Sequence, residues 1–414
     1  MQPPRLYSVL IQVRKQQRAL EAMLRVLLSV TGRPFTGDSK SNHPPVRSVL
    51  QFILCVSLYV GCATLANAQV TSIAIQSPGL SPSSTTNLTS PIHVAATAED
   101  LSPITGYVVY VDGQNVFRNF ATTADAWIML PPGPHSLYVK AWDAHTNYTS
   151  HSYQINVTGF APPNPPVYAQ RISGIDGESW IVDNNPDVGG KCNNGSLGSF
   201  VNSSDPNTEN APGPGQHFVM NGTCQYDDSL FYWKYTDPQA LESSTNYLWE
   251  FWFYIPNSTQ SSSVQAMEFD MFQTVPLSDG MHEFMFGSQC DYAKNAWDFW
   301  LPSGSRLTWV TSSLSPCRFS TGAWHHAVYF FQRVTSAGYQ QIPLTFAPST
   351  DPNSYLRFGT LTIDGQTMYL GGLAWSTIPK PAWGAVAGVQ HQLDTSVAGA
   401  LIEEYSNRES LTTW

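Results

Sequence analysis

At 414 residues, with aromatics at 13% and charged residues at only 12%, the chain is long enough for two hydrophobic cores. Its polar balance is carried by Ser, Thr, Asn and Gly, as on exported β-proteins. The formal net charge of -10 comes without clustered Lys and Arg after about residue 50, which excludes nucleic acid as a partner and lends nothing to membrane-surface binding.

Arg5 to Val30 has helical spacing and basic residues, and Gly32 to Pro45 has the composition of a disordered segment, so residues 1–46 are expected to be a non-native or disordered extension with Val46 as an alternative start. Arg47 then precedes the apolar run Val49 to Ala63, and Ala66-Asn67-Ala68 supplies small residues at the two positions a signal peptidase reads. Residues 47–68 are therefore expected to be a signal peptide, with the mature chain beginning at Gln69 and located outside the cytoplasm, secreted or on the cell surface. The rival reading is a membrane anchor, but the run is shorter than the ~20 residues a bilayer needs and no stop-transfer charge follows it. No membrane span is expected in the mature protein.

Residues 70–158 alternate in short strands: Ile73 and Ile75, Ile92 to Ala96, Tyr107 to Val111, Trp127 to Leu130, Ser136 to Trp142 and Tyr153 to Val157. Asp112-Gly113 marks a hairpin and Pro131-Pro132-Gly133 a tight reversal. The phrases Val109-Tyr110-Val111-Asp112-Gly113-Gln114 and Pro132 to Ala144 resemble bacterial Ig-like domains, which implies a small β-sandwich and says little about chemistry. Without a cysteine this sandwich must hold by its core, to which Trp127 and Trp142 are assigned. Four prolines within 161–166 make residues 159–168 an extended, semi-rigid linker, so the segments on either side are not expected to share a core.

Residues 169–414 read as one large sandwich of a dozen or more strands. Within it, Val264 to Thr274 places Glu268 and Asp270 on one strand face and Met267, Phe269 and Met271 on the other, so that a core face and a working face are both legible. The spacing Glu268-x-Asp270-x-x-Gln273 resembles the Glu-x-Asp-x-x-Glu strand of laminarinase-like family-16 glycoside hydrolases. Trp324-His325-His326 followed by Ile363-Asp364-Gly365 is similar to a laminin-G and concanavalin A-like phrase. Together these resemblances imply an all-β chain, an N-terminal Ig-like β-sandwich plus a larger concanavalin A-like jelly-roll β-sandwich.

The hydrolase resemblance implies that Glu268 is the nucleophile and Asp270 its electrostatic helper, while Gln273 occupies the acid/base position. An amide transfers no proton there. On a regular strand Gln273 would face away from Glu268 and Asp270, and only a β-bulge near Met271 or Phe272 would bring it round. Glu250 and Glu283 are the carboxylates that could replace it. The enzyme question stays open and leans towards no.

In Tyr247 to Ile255 one face is apolar and the other carries Glu250, Trp252 and Tyr254, a mix of carboxylate and flat rings on which sugars stack. Gln390 and Gln392 are expected to add polar contacts to the same concave sheet, and Trp297, Trp300 and Trp309 fit either a platform or the core. Of six cysteines, Cys192, Cys224, Cys290 and Cys317 remain in the exported part, and Cys192–Cys224 with Cys290–Cys317 is the favoured pairing of three because each closes a local loop. A zinc site would want closer Cys-x-x-Cys or His spacing. The expectation is an exported monomer that binds a polysaccharide or other glycan without cleaving it. The alternatives are a divergent β-glucan hydrolase and a surface adhesion protein. No cofactor or metal is called for, and calcium coordination is not legible.

Overall fold

The computed structural model describes residues 70–414 other than 71, 82, 176–179, 185–194, 201–213, 236–242, 304–305, 335–354, 372–373 and 377–386. The expected extension, signal peptide and cleavage site lie outside the described residues. Among the described residues there is no helix, so none is long and apolar enough to cross a membrane, and the all-β reading holds.

The first sandwich comprises β1 (Ser72–Ser77), β2 (Thr86–Ser90), β3 (Ile92–Glu99), β4 (Ile104–Val111), β5 (Gln114–Asn119), β6 (Thr123–Ile128), β7 (Gly133–Asp143) and β8 (Tyr148–Phe160). They form a β1-β3-β6 sheet and a β2-β8-β7-β4-β5 sheet, with β2 and β8 parallel. Strict alternation puts Val94, Ala96, Val109, Val111, Leu137, Val139 and Ala141 between the sheets, where they are almost wholly buried.

The second sandwich begins with β9 (Gln170–Ser173), β10 (Ile181–Asn184), β11 (Gly195–Phe200), β12 (Gly215–Gly222), β13 (Asp228–Tyr235) and β14 (Asn246–Tyr254). It continues through β15 (Val264–Leu277), β16 (Gly280–Phe286), β17 (Ser288–Asp291), β18 (Ala296–Ser303), β19 (Arg306–Thr311) and β20 (Trp324–Val334). The last strands are β21 (Tyr355–Ile363), β22 (Gln366–Tyr369), β23 (Ala374–Ser376), β24 (Ala387–Thr395) and β25 (Ala400–Thr413). One sheet runs β10-β13-β24-β15-β17-β18-β19, with β16 also on β15. The other runs β11-β12-β25-β14-β20-β21-β22, with β9 on β25 and β23 on β21.

Between these sheets lies an aromatic core. Phe231, Met267, Phe269, Met271, Trp297 and Phe299 from one side meet Phe218, Trp249, Phe251, Phe253, Tyr329 and Phe358 from the other. Each such side chain contributes about 1.5–3 kcal/mol by leaving water.

Both sandwiches share a turn device. Asp112 and Gly113 have φ of 51° and 80°, and Asp364 and Gly365 have 49° and 79°, the left-handed pair that closes a two-residue hairpin with the twist of its strands. Each turn aspartate then reaches a neighbouring strand. Asp112 takes His135 Nδ1 at 2.7 Å and the Ser136 N–H at 2.8 Å, while Asp364 takes His325 Nδ1 at 2.7 Å and the His326 N–H at 2.9 Å. His325 and His326 in the Trp-His-His phrase thus earn part of their place by fixing a hairpin.

A third apolar cluster, separate from both cores, packs the two sandwiches against each other. Trp127 and Met129 of the first sandwich pack with Leu248, Val328, Phe330 and Trp414 on the face of the nine-stranded sheet turned away from its core. Gln332 Nε2 donates to the Trp127 carbonyl at 2.8 Å, and Phe160 stacks on Tyr369 at 5.0 Å. The reason is compositional: those sheet positions are apolar and need a cover.

Cys290 and Cys317 form a disulfide across a sequence separation of 27. Cys224 is disulfide-bonded too, and its expected partner Cys192 lies outside the described residues. For a loop of 27 residues the chain-entropy relation gives about 3.5 kcal/mol. The Cys290→Ala/Cys317→Ala variant should lose about that much in urea unfolding, and an unchanged midpoint would contradict it.

Candidate functional site

The face of the eight-stranded sheet turned away from the core is polar, and alternation explains why. In β15, Met267, Phe269 and Met271 enter the core and leave Glu268, Asp270 and Phe272 opposite. In β24, Val389, His391 and Leu393 point inward and leave Gln390, Gln392 and Asp394. Cross-strand register then sets Glu268 beside Gln392 on one side and Gln289 on the other, and Asp270 beside Gln390. The outer positions Asp298 and Trp300 of β18 and Trp309 of β19 extend the row to one edge, and Tyr232 of β13, opposite Gln390, extends it on the other side to one strand short of the edge strand β10.

Hydrogen bonds tie this row together. Gln390 Nε2 donates to Asp270 Oδ2 at 3.2 Å and to Gln392 Oε1 at 3.3 Å, and Gln392 Nε2 donates to Asp394 Oδ1 at 2.9 Å. Where the ladder breaks between β16 and β17, the Ser288 N–H turns to Asp270 Oδ1 at 2.9 Å instead of a carbonyl. Gln289 Nε2 donates to Asp298 Oδ2 at 3.0 Å, which also receives Lys294 Nζ at 2.6 Å. Two glycines fit here because side chains press on them. A Cβ on Gly388 would lie 2.2 Å from the Phe272 ring and 2.5 Å from the Trp233 carbonyl, and one on Gly287 would lie 2.7 Å from Trp300 Cβ.

Burial dominates the electrostatics. It raises Glu268 well above the usual carboxylate range, with the nearby carboxyls of Asp394, Asp270 and Asp228 adding to the effect and a hydrogen bond joining it to Asp394. Asp270 is pushed up to about 8, chiefly by burial and then by Asp394, against the opposing pull of the Ser288 N–H and of His391. The site therefore holds carboxylic acids as well as carboxylates at neutral pH.

Gln273 is not part of this face. β15 pairs with β24 and β16 without a register shift from Met271 to Gln273, so the bulge needed to bring it round is absent. It points with Met271 into the sandwich, is fully buried and accepts a hydrogen bond from Tyr247 Oη at 2.5 Å. Glu283, opposite Thr274, shares the outer face with Asp270 but sits four residues further along the sheet.

Glu250, Trp252 and Tyr254 also stand apart from Gln390 and Gln392. They belong to β14 in the nine-stranded sheet, so the two sets lie on opposite outer faces of the sandwich and not on one concave sheet. There Trp252 stacks on His326 at 4.6 Å, and His326 Nε2, 3.0 Å from Glu250 Oε1, holds that carboxyl below its ordinary range. Trp297 is core, whereas Trp300 and Trp309 are half-buried and meet edge to face at 5.1 Å on the polar face. The sequence reading missed Asp394, Gln289, Asp298 and Tyr232. A signal existed for the first, which has the same parity as Gln390 and Gln392.

Among the described residues no group of three or more His, Cys, Asp or Glu side chains is arranged to hold a metal ion. No protein-family model and no curated protein matches the sequence. Solved structures overlap it loosely. A carbohydrate-binding module of the β-sandwich superfamily shares 10% identity over 83% of this chain and 98% of its own, with a TM-score of 0.25. A carbohydrate esterase from the Shiga toxin-encoding bacteriophage phi24B shares 12% over 58% and 92%, with a TM-score of 0.31. Arcelin-5, a lectin-like defence protein from Phaseolus vulgaris, shares 9% over 59% and 98%, with a TM-score of 0.32. At such identities and TM-scores the strand pairings alone define this architecture.

Proposed function

We infer that this is an exported carbohydrate-binding protein whose larger, concanavalin A-like sandwich takes a glycan on the polar face of the eight-stranded sheet, the smaller Ig-like sandwich serving as its fixed support. One observation carries the reading: carboxyls and side-chain amides on neighbouring strands line up in one row, set by strand register, between Tyr232 on one side and Trp300 with Trp309 on the other. Hydroxyl-rich rings suit such a row, because carboxylates and amides satisfy their hydroxyls while flat side chains stack on their apolar faces. Export is supported by the disulfide and by the signal-peptide pattern before Gln69.

Binding without cleavage is favoured because Gln273 lies in the core, so the third position of the hydrolase-like motif contributes nothing to this face. In a glycan-binding titration, Glu268→Ala and Trp300→Ala should each weaken affinity by about 1–3 kcal/mol, while Trp252→Ala on the other sheet should leave it unchanged. Loss of affinity only in Trp252→Ala would move the site to the nine-stranded sheet. Release of reducing ends by the wild-type protein, abolished in Glu268→Ala, would replace binding by hydrolysis.

A further inference from the structure

The row on the eight-stranded sheet has a chemical bias of its own. Its acidic side chains include the carboxyls of Glu268 and Asp270 on β15, Glu283 on β16, Asp394 on β24, Asp228 on β13, Asp291 on β17 and Asp298 on β18, beside the Tyr232 phenol. Two described lysines accompany them. Lys294 is held by Asp298 at 2.6 Å and Asp291 at 2.8 Å, and Lys234 sits over the Tyr232 ring at 4.7 Å. Even with Glu268 and Asp270 protonated, the remaining carboxylates outnumber these cations.

A second observation points to what the ligand must offer. Gln390 is only 2% exposed, and both contacts of its amide nitrogen are made to Asp270 and Gln392, while its Oε1 has no hydrogen-bond partner. A buried acceptor left open in the middle of an acceptor-rich row calls for a donor. Hydroxyl, amide N–H and ammonium groups can meet it. A carboxylate or sulfate ester cannot, and it would face carboxylates besides.

We propose that this row selects glycan units without anionic substituents, neutral or amino sugars in place of uronic acids and sulfated sugars. The proposal rests on the carbohydrate-binding reading above and adds the class of sugar. The repulsive half of the selection comes from the carboxylates and the attractive half from Gln390 Oε1, so the two can be separated by substitution.

The test uses the folded chain from Gln69 onward on a glycan array carrying neutral, amino, uronic and sulfated members. It is followed by titration of the strongest neutral or amino binder and of the same glycan with its primary alcohols oxidised to carboxylates. Binding should concentrate on neutral or amino members, with the oxidised form weaker by about tenfold or more. Asp394→Asn should narrow that gap, and Asp298→Asn serves the same purpose if the first variant does not fold. Gln390→Leu should weaken the neutral glycan about tenfold and leave the gap in place. Equal or tighter binding of uronic or sulfated members would overturn the selectivity while leaving carbohydrate binding intact. A folded protein that binds no glycan at all would remove the carbohydrate reading and this inference together.

Discussion

Replacing His391 by alanine is expected to cost about 3–5 kcal/mol of stability at pH 7, because it strips the counter-ion from two carboxyl groups sealed inside the larger sandwich. His391 on β24 crosses to β25, where its Nδ1 lies 2.7 Å from Glu404 Oε1 and its Nε2 3.5 Å from Glu409 Oε1, and all three side chains are fully buried. Trp249 Nε1 donates to Glu409 Oε1 at 2.9 Å, which fixes that carboxylate in the aromatic core. Burial alone would lower the imidazole, but the two glutamates outweigh it and raise His391 from 6.5 to about 9. The stabilisation is therefore complete below pH 6.5 and fades as pH rises through about 9.

Glu268 and Asp270 are raised as well, so each holds in the folded state a proton that the unfolded chain gives up, and their share of stability also falls as pH rises. Urea unfolding across pH 5 to 10 should show stability declining towards alkaline pH. His391→Ala should flatten the portion between 6.5 and 9. Its cost should also shrink in acid, where Glu404, raised by burial, takes up a proton. A variant that unfolds like the wild type at pH 7 would show that the histidine carries no counter-charge there.

Much of this architecture could be read from the chain, and the parts that could not have a common physical cause. Alternation within one strand is local, so the inward set Met267, Phe269 and Met271 and the outward pair Glu268 and Asp270 were legible, as was the Asp112-Gly113 hairpin. Which strands become neighbours is a long-range property. β14 and β24 both alternate apolar with polar residues, and nothing in either segment says that Trp252 and Gln390 belong to different sheets. The cover that Trp127 provides for Leu248 and Phe330 has the same origin, since burial of Trp127 was readable but its partner was not. His391 was readable in principle: it shares the parity of Val389 and Leu393, and a histidine on an apolar face needs a buried acid, which Glu404 supplies.

Gln273→Glu is the most instructive substitution, because it completes the Glu-x-Asp-x-x-Glu spacing and yet should produce an unstable protein with no hydrolytic activity. Regular pairing of β15 from Met271 to Gln273 keeps this side chain on the core side, where its amide oxygen accepts from Tyr247 Oη. Tyr247 is itself fully buried, with burial raising its hydroxyl to about 12, so it remains a proton donor and never a charge partner. A glutamate placed there gains one charge-assisted hydrogen bond from that hydroxyl but exchanges a neutral amide for a carboxylate cut off from water. Taking such a charge out of water costs several kcal/mol, more than the roughly 1.5–3 kcal/mol that a charged hydrogen bond returns, and Arg333, which hydrogen-bonds to the same Tyr247 hydroxyl, offsets only part of it. The new carboxyl should therefore stay protonated well above its ordinary range. Its folded-state pKa is raised, so the destabilisation is small in acid and grows as pH rises past the unfolded value of about 4.3. Thermal unfolding of Gln273→Glu at pH 4 and pH 8 tests this directly, with a small loss expected at the first and a large one at the second. A variant as stable as the wild type at pH 8, or one that releases reducing ends from a β-glucan, would mean that position 273 reaches the polar face after all.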